Sequence, residues 1–167
     1  MNSALLTLIR TGHQLLVKVA GYLQSPFLLV LRLYWGWSFF MTGKGKLLNH
    51  AQTTEFFASI NIPLPGLNAW MAATIECFGG LLLLVGLASR VVSIPLIFTM
   101  IVAYLTADNE AVQAIFSDPD KFTGADPFLF LLTSVIIFLF GPGALSLDHL
   151  IGKKWRAEPA PPLTARA

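Results

Sequence analysis

A single cysteine, Cys77, occurs in the chain, so no internal disulfide can form and no redox compartment can be read from thiol pairing. Charge is scarce as well. Lysine, arginine, aspartate and glutamate make up 12% of the 167 residues, against about 25% in soluble domains. The net charge of +2 is too small to suggest a nucleic-acid partner. Three histidines are present, His13, His50 and His149, and none falls inside a long apolar run. An intramembrane pair of axial haem ligands is therefore lacking. No CxxC, CxxCH, paired His–Glu helix motif or phosphate-cradling glycine loop occurs. No metal site, covalently bound cofactor or self-contained catalytic motif is expected.

What the chain does have is apolar length. Hydrophobic residues reach 55% and the mean hydropathy is +0.68. About 20 apolar residues suffice for a helix to cross a bilayer. Four such segments can be drawn, over about Pro26–Leu48, Leu67–Ala88, Val91–Ala107 and Asp126–Gly141. Pro95 lies near the start of the third, where proline does least damage. The fourth opens on Asp126-Pro127, a capping carboxylate followed by proline, and ends at the breaker Gly141-Pro142-Gly143. Only Ser89 and Arg90 separate the second and third spans, which predicts a tight helical hairpin. The expected fold is all-α, an integral membrane four-helix bundle.

The flanks differ from the spans. In residues 1–24, Ser3, Thr7, Arg10, Gln14 and Lys18 recur at helical spacing opposite Leu5, Leu6, Ile9, Leu16 and Val17. That pattern predicts an amphipathic helix lying in the membrane interface, and the interrupted apolar run argues against a cleaved signal peptide. A membrane domain is expected over 25–155, and the proline-rich stretch 156–167 reads as a disordered tail. Residues 51–60 put Phe56, Phe57 and Ile60 on one side of a short surface helix, whereas 108–125 form a polar loop. With four crossings, the richer set of cations (Arg10, Lys18, Arg90, Lys153, Lys154, Arg156 and Arg166) falls on one side, against Lys44, Lys46 and Lys121 on the other. Both termini are therefore expected in the cytoplasm.

Two ionisable residues stand well inside the spans, Arg32 and Glu76. A charge near the centre of a membrane helix costs roughly 3 kcal/mol on insertion scales and needs compensation. With a rise of about 1.5 Å per residue, Arg32 lies roughly 9 Å from the inner end of the first span and Glu76 roughly 13 Å from the outer end of the second. Their extended side chains could just meet, with Arg32 as electrostatic partner and Glu76 as a proton-handling group. The alternative is structural: Arg32 snorkels to the interface and Glu76 bonds to a neighbouring helix. Lys44 and Lys46 read as interfacial anchors. Cys77, deep in apolar sequence without a cation beside it, reads as inert. Ser146 can cap a short interfacial helix, with Asp148 in its first turn.

Arg32, Gly36, Phe39, Gly43 and Lys46 lie on one helix face, and small residues there allow close backbone approach in lipid. Together with Glu76-x-x-Gly79-Gly80-Leu81, Gly86, Arg90 and Gly141-Pro142-Gly143 through Ser146-Leu147-Asp148, this pattern resembles the DoxX family of small bacterial membrane proteins. The likeness covers about Pro26–Leu150. It implies a four-helix, multi-pass protein of the cytoplasmic membrane, acting as an accessory or partner subunit in membrane-linked redox metabolism. Its partners would be the bilayer and a membrane or soluble redox protein, with a homo-oligomer left open. A quinone could sit between helices, where Trp35, Trp37, Phe39 and Phe40 offer an aromatic wall. Two other functions stay open: a carrier or channel for a small solute, and a scaffold that recruits a soluble enzyme.

Overall fold

The computed structural model describes residues 3–157, so most of the expected tail lies outside the described residues. Eight helices occur among the described residues, without a strand: α1 (Ser3–Leu48), α2 (His50–Ser59), α3 (Pro65–Val85), α4 (Ser89–Thr106), α5 (Asn109–Gln113), α6 (Pro119–Thr123), α7 (Pro127–Phe140) and α8 (Leu147–Ala157). Within α1, α3 and α4 are three stretches long and apolar enough to cross a membrane, whereas α7 is apolar but shorter, with 14 residues.

The first apolar stretch and the amphipathic segment before it form one helix of 46 residues. The boundary expected near residue 24 is not a break. Pro26 sits inside the helix, where its missing N–H leaves the carbonyl of Tyr22 without the usual helical donor. Residues 9–24 are exposed throughout.

Helix α1 packs chiefly along α3, antiparallel to it, and glycines set the separation. A methyl group added at Gly36 would meet the backbone of Leu84 at 2.9 Å, and one at Gly80 would meet the backbone amide of Phe40 at 2.5 Å. At Gly43 it would overlap the backbone of Cys77. Such contacts are available only to hydrogen, and dispersion between touching backbones replaces the hydrophobic drive that lipid cannot supply. Helix α3 ends at Gly86, left-handed at φ +71°. Leu87 and Ala88 then lead into α4, giving the tight hairpin the sequence predicts.

Helix α7 packs on α4 and touches α1. Phe39 is fully buried and stands edge-on to Phe130 at 4.6 Å, within a core of Leu28, Leu83, Val92, Leu96, Met100 and Ile137. The start of α7 at Pro127 follows the proline rule, but Asp126 makes no capping hydrogen bond. Its charge instead lies near Asp108, whose carboxyl is pushed above the usual range by burial first and by Asp126 second. Across the polar loop, Lys121 donates to Glu110 at 2.8 Å and holds that carboxyl below its usual range.

Two alanine substitutions two residues apart test the helix contact. Gly43→Ala is expected to lose roughly 1–3 kcal/mol or more through overpacking. Gly45→Ala, where a methyl group meets nothing within 4 Å, should leave stability unchanged or slightly raised. Thermal unfolding of both variants in one detergent checks this, and equal midpoints would contradict the packing.

Candidate functional site

The register of α1 on α3 decides which charges meet. Gly43 opposes Cys77, and Gly36 opposes Gly80 and Leu84, so Arg32, one turn before Gly36, faces the C-terminal end of α3 near Gly86. Side chains on a helix lean towards its N-terminus. Arg32 therefore points away from Glu76, and Glu76 leans towards the opposite end of the bundle. Lys46, late on α1, leans back into the bundle. Its Nζ donates to Oε1 of Glu76 at 2.5 Å.

The Glu76–Arg32 pairing is thus replaced by Glu76–Lys46. Glu76 is 2% exposed at its side chain and Lys46 33%. The lysine is therefore no simple interfacial anchor, because its ammonium neutralises a buried carboxylate. Sequence reasoning had placed Lys46 on the correct face, and the direction of helical side chains was the signal that could have paired it.

Arg32 is fully buried at the other end of the bundle. Its guanidinium donates to the carbonyl of Leu145 at 2.5 Å and to that of Leu84 at 3.5 Å. A methyl group on Gly86 would occupy the same space as the guanidinium. Arg32 therefore ties α1 to the end of α3 and to the loop after α7. Asp148 joins the same junction in an unforeseen way. Besides standing in the first turn of α8, its two carboxylate oxygens accept from the backbone amides of Ala88 and Ser89, at 2.6 and 2.8 Å. It caps α4, where the sequence placed it only in the dipole of its own helix. Ser146 accepts from the amide of His149 at 3.2 Å and so caps α8 as expected.

Beside the Lys46–Glu76 pair lies a cavity of about 800 Å³. Helix α2 closes it on one side and α4 on another, with Ile75, Met71, Phe57 and Phe98 among its walls. Asn49, Thr53 and Thr99 add a few polar groups. A large apolar space with one charged pair and a few hydrogen-bonding groups is how small-molecule sites are commonly built. Helix α2 is held over it by His50, whose Nε2 is 3.1 Å from the carbonyl of Gly66 and whose ring lies against Trp70. The aromatic wall expected from Trp35, Trp37, Phe39 and Phe40 is not part of this cavity: Phe39 is in the core and Trp35 stands against Phe130. Cys77 is buried, beside Glu76 in sequence and against Gly43. No cluster of three or more potential metal ligands occurs among the described residues.

Long apolar helices around a part-buried ion pair define an all-helical integral membrane protein. The DoxX family model matches residues 27–109, from the first span to the start of α5. The chain is 37% identical over 128 residues to "Putative oxidoreductase CatD" of Bacillus subtilis, covering 75% of this chain and 89% of the relative. It is 30% identical over 137 residues to the inner membrane protein YqjF of Escherichia coli, covering 80% and 98%. An uncharacterized membrane protein of Mycobacterium tuberculosis is 30% identical over 141 residues, covering 77% and 83%. No solved structure matches the chain. The chain belongs to the DoxX family.

A double-mutant cycle checks the pairing. Lys46→Met strands a buried carboxylate and is expected to cost roughly 3–5 kcal/mol, with strong coupling to Glu76→Gln. Arg32→Met should add to Glu76→Gln within about 0.5 kcal/mol, because the two share no partner. Coupling of Glu76 to Arg32 rather than Lys46 would contradict the structure.

Proposed function

We propose that this DoxX protein is an accessory subunit of membrane-linked redox metabolism, and that its cavity holds a lipophilic carrier of the quinone type with the head group against Lys46 and Glu76. The observation that carries the reading is a buried carboxylate paired with a half-buried lysine on the wall of a large apolar space. A neutral, flat head group fits such a site. The Lys46 ammonium can donate to a carbonyl oxygen, and the Glu76 carboxylate can accept from a ring hydroxyl and hold its proton. The isoprenoid tail would follow the apolar walls towards the bilayer.

The name of the Bacillus relative as an oxidoreductase agrees with redox work. In this reading the chain binds and orients the carrier and positions its proton, while electrons pass to or from a partner redox protein. Glu76 and Lys46 are the site residues, and Arg32 holds the frame.

The topology belongs to the same proposal. The chain crosses the cytoplasmic membrane four times, with α7 as the short fourth crossing and both termini in the cytoplasm. Arg10, Lys18, Arg90, Lys153 and Lys154 support that orientation, since cytoplasmic flanks carry the excess of lysine and arginine. The amphipathic part of α1 and helix α8 then share the cytoplasmic face, and the cavity lies towards the opposite side.

Ligand binding and topology are checked separately. A short-chain quinone analogue titrated into the solubilised protein should bind saturably, and Ala72→Trp, which fills the cavity, should weaken binding at least about tenfold while the thermal midpoint holds. Unsaturable binding, or indifference to Ala72→Trp, would refute the assignment. In intact cells a membrane-impermeant thiol reagent should label Ser117→Cys, and should reach Lys154→Cys only after lysis.

A further inference from the structure

A second cavity, about 770 Å³, opens at the Arg32 end of the molecule, between the start of α4, the end of α7 and α8. Two exposed cations, Arg90 and Lys153, line it, with His149 beside them. Its acid, Asp148, is already engaged: both carboxylate oxygens cap α4, and the buried Arg32 guanidinium stands close enough to feel its charge. What remains facing the cavity is a positive field without a free counter-ion among the described residues.

The walls indicate which anion fits. Val91 and Phe140 line the same space and are 69% and 60% exposed, on the lipid-facing flanks of α4 and α7. Leu147, Leu150 and Ile151 on α8 are also exposed, next to Lys153 and Lys154, which is the make-up of a helix resting in a membrane interface. The cavity thus sits where α4 begins and α7 ends, at head-group depth, with cations on its polar side and apolar surface leading into the bilayer. Basic pockets between membrane helices at this depth suit lipid head groups. We propose that this cavity is a binding site for the phosphate of an anionic phospholipid, held by Arg90 and Lys153 with an acyl chain along Val91 and Phe140.

Arg90 also donates to the carbonyl of Leu139 at 3.3 Å. A phosphate there would bridge α4 and α8 across the loop that Arg32 anchors from within. The occupant would tie α4 to α8, at a site remote from the Lys46–Glu76 pair.

Native mass spectrometry of the full chain in mild detergent tests the site. Phosphatidylglycerol, phosphatidylcholine and inorganic phosphate are titrated as separate arms. The expected result is one retained phosphatidylglycerol and no retained phosphatidylcholine at the same concentration. Arg90→Gln should weaken phosphatidylglycerol binding about fivefold, and Lys153→Glu, which reverses a charge, about 25-fold. Lys153 is exposed and its side chain makes no hydrogen bond within the described residues, so its variant keeps the experiment decisive should Arg90→Gln loosen the helix ends. Equal binding of the two lipids, or unchanged affinity in Lys153→Glu, would overturn the proposal. Inorganic phosphate competing at the lipid's own concentration would assign the cations to a soluble anion and overturn the lipid as occupant.

Discussion

The backbone contact between α1 and α3 is the constraint on which the rest depends. Gly36, Gly43 and Gly80 let two helices touch without intervening side chains, and that contact leaves one antiparallel register open. Once it is set, Lys46 meets Glu76 at one end and Arg32 meets the carbonyls of Leu84 and Leu145 at the other. A slip of one turn would leave a carboxylate and a guanidinium unpaired in an apolar interior, at several kcal/mol each. The glycines supply the attraction, and the buried charges make it specific.

The two ends so defined differ in kind. At the Arg32 end several long-range hydrogen bonds meet: Asp148 caps α4, Ser146 caps α8, the amide of Asp148 donates to the carbonyl of Gly86, and Ser25 accepts from the amide of Ala144, while Nε of Arg32 and Oγ of Ser89 stay without a partner among the described residues. At the Lys46 end the helices part, and α2 bridges the gap with exposed and half-buried aromatics. A cross-linked end and an open end place the charged pair where a ligand can approach it from one side.

Much of this was legible in the sequence. Apolar length marked the membrane helices, Gly141-Pro142-Gly143 marked the end of α7, and the glycine face of α1 was visible at steps of four, three and four. What stayed hidden was the relative height of the helices. Depths counted from assumed span ends put Arg32 within reach of Glu76, because such counting ignores both the register and the lean of side chains towards the helix N-terminus. Pro26 invited a boundary that helix α1 does not observe. The role of Asp148 as a cap for α4 joins residues 60 apart in sequence, which local patterns cannot reveal. The cavity was invisible for the same reason, as its walls come from α1, α2, α3 and α4 together.

The coupling of Lys46 to Glu76 has an electrical corollary. A lone charge within the bilayer feels the transmembrane voltage, worth about 2.3 kcal/mol per 100 mV for a full crossing. A cation and an anion in contact feel equal and opposite pulls, so the field does almost no net work on them as a unit. The interior of this protein is therefore electrically silent at its most polar point, and a neutral guest could come and go there without regard to how strongly the membrane is energised.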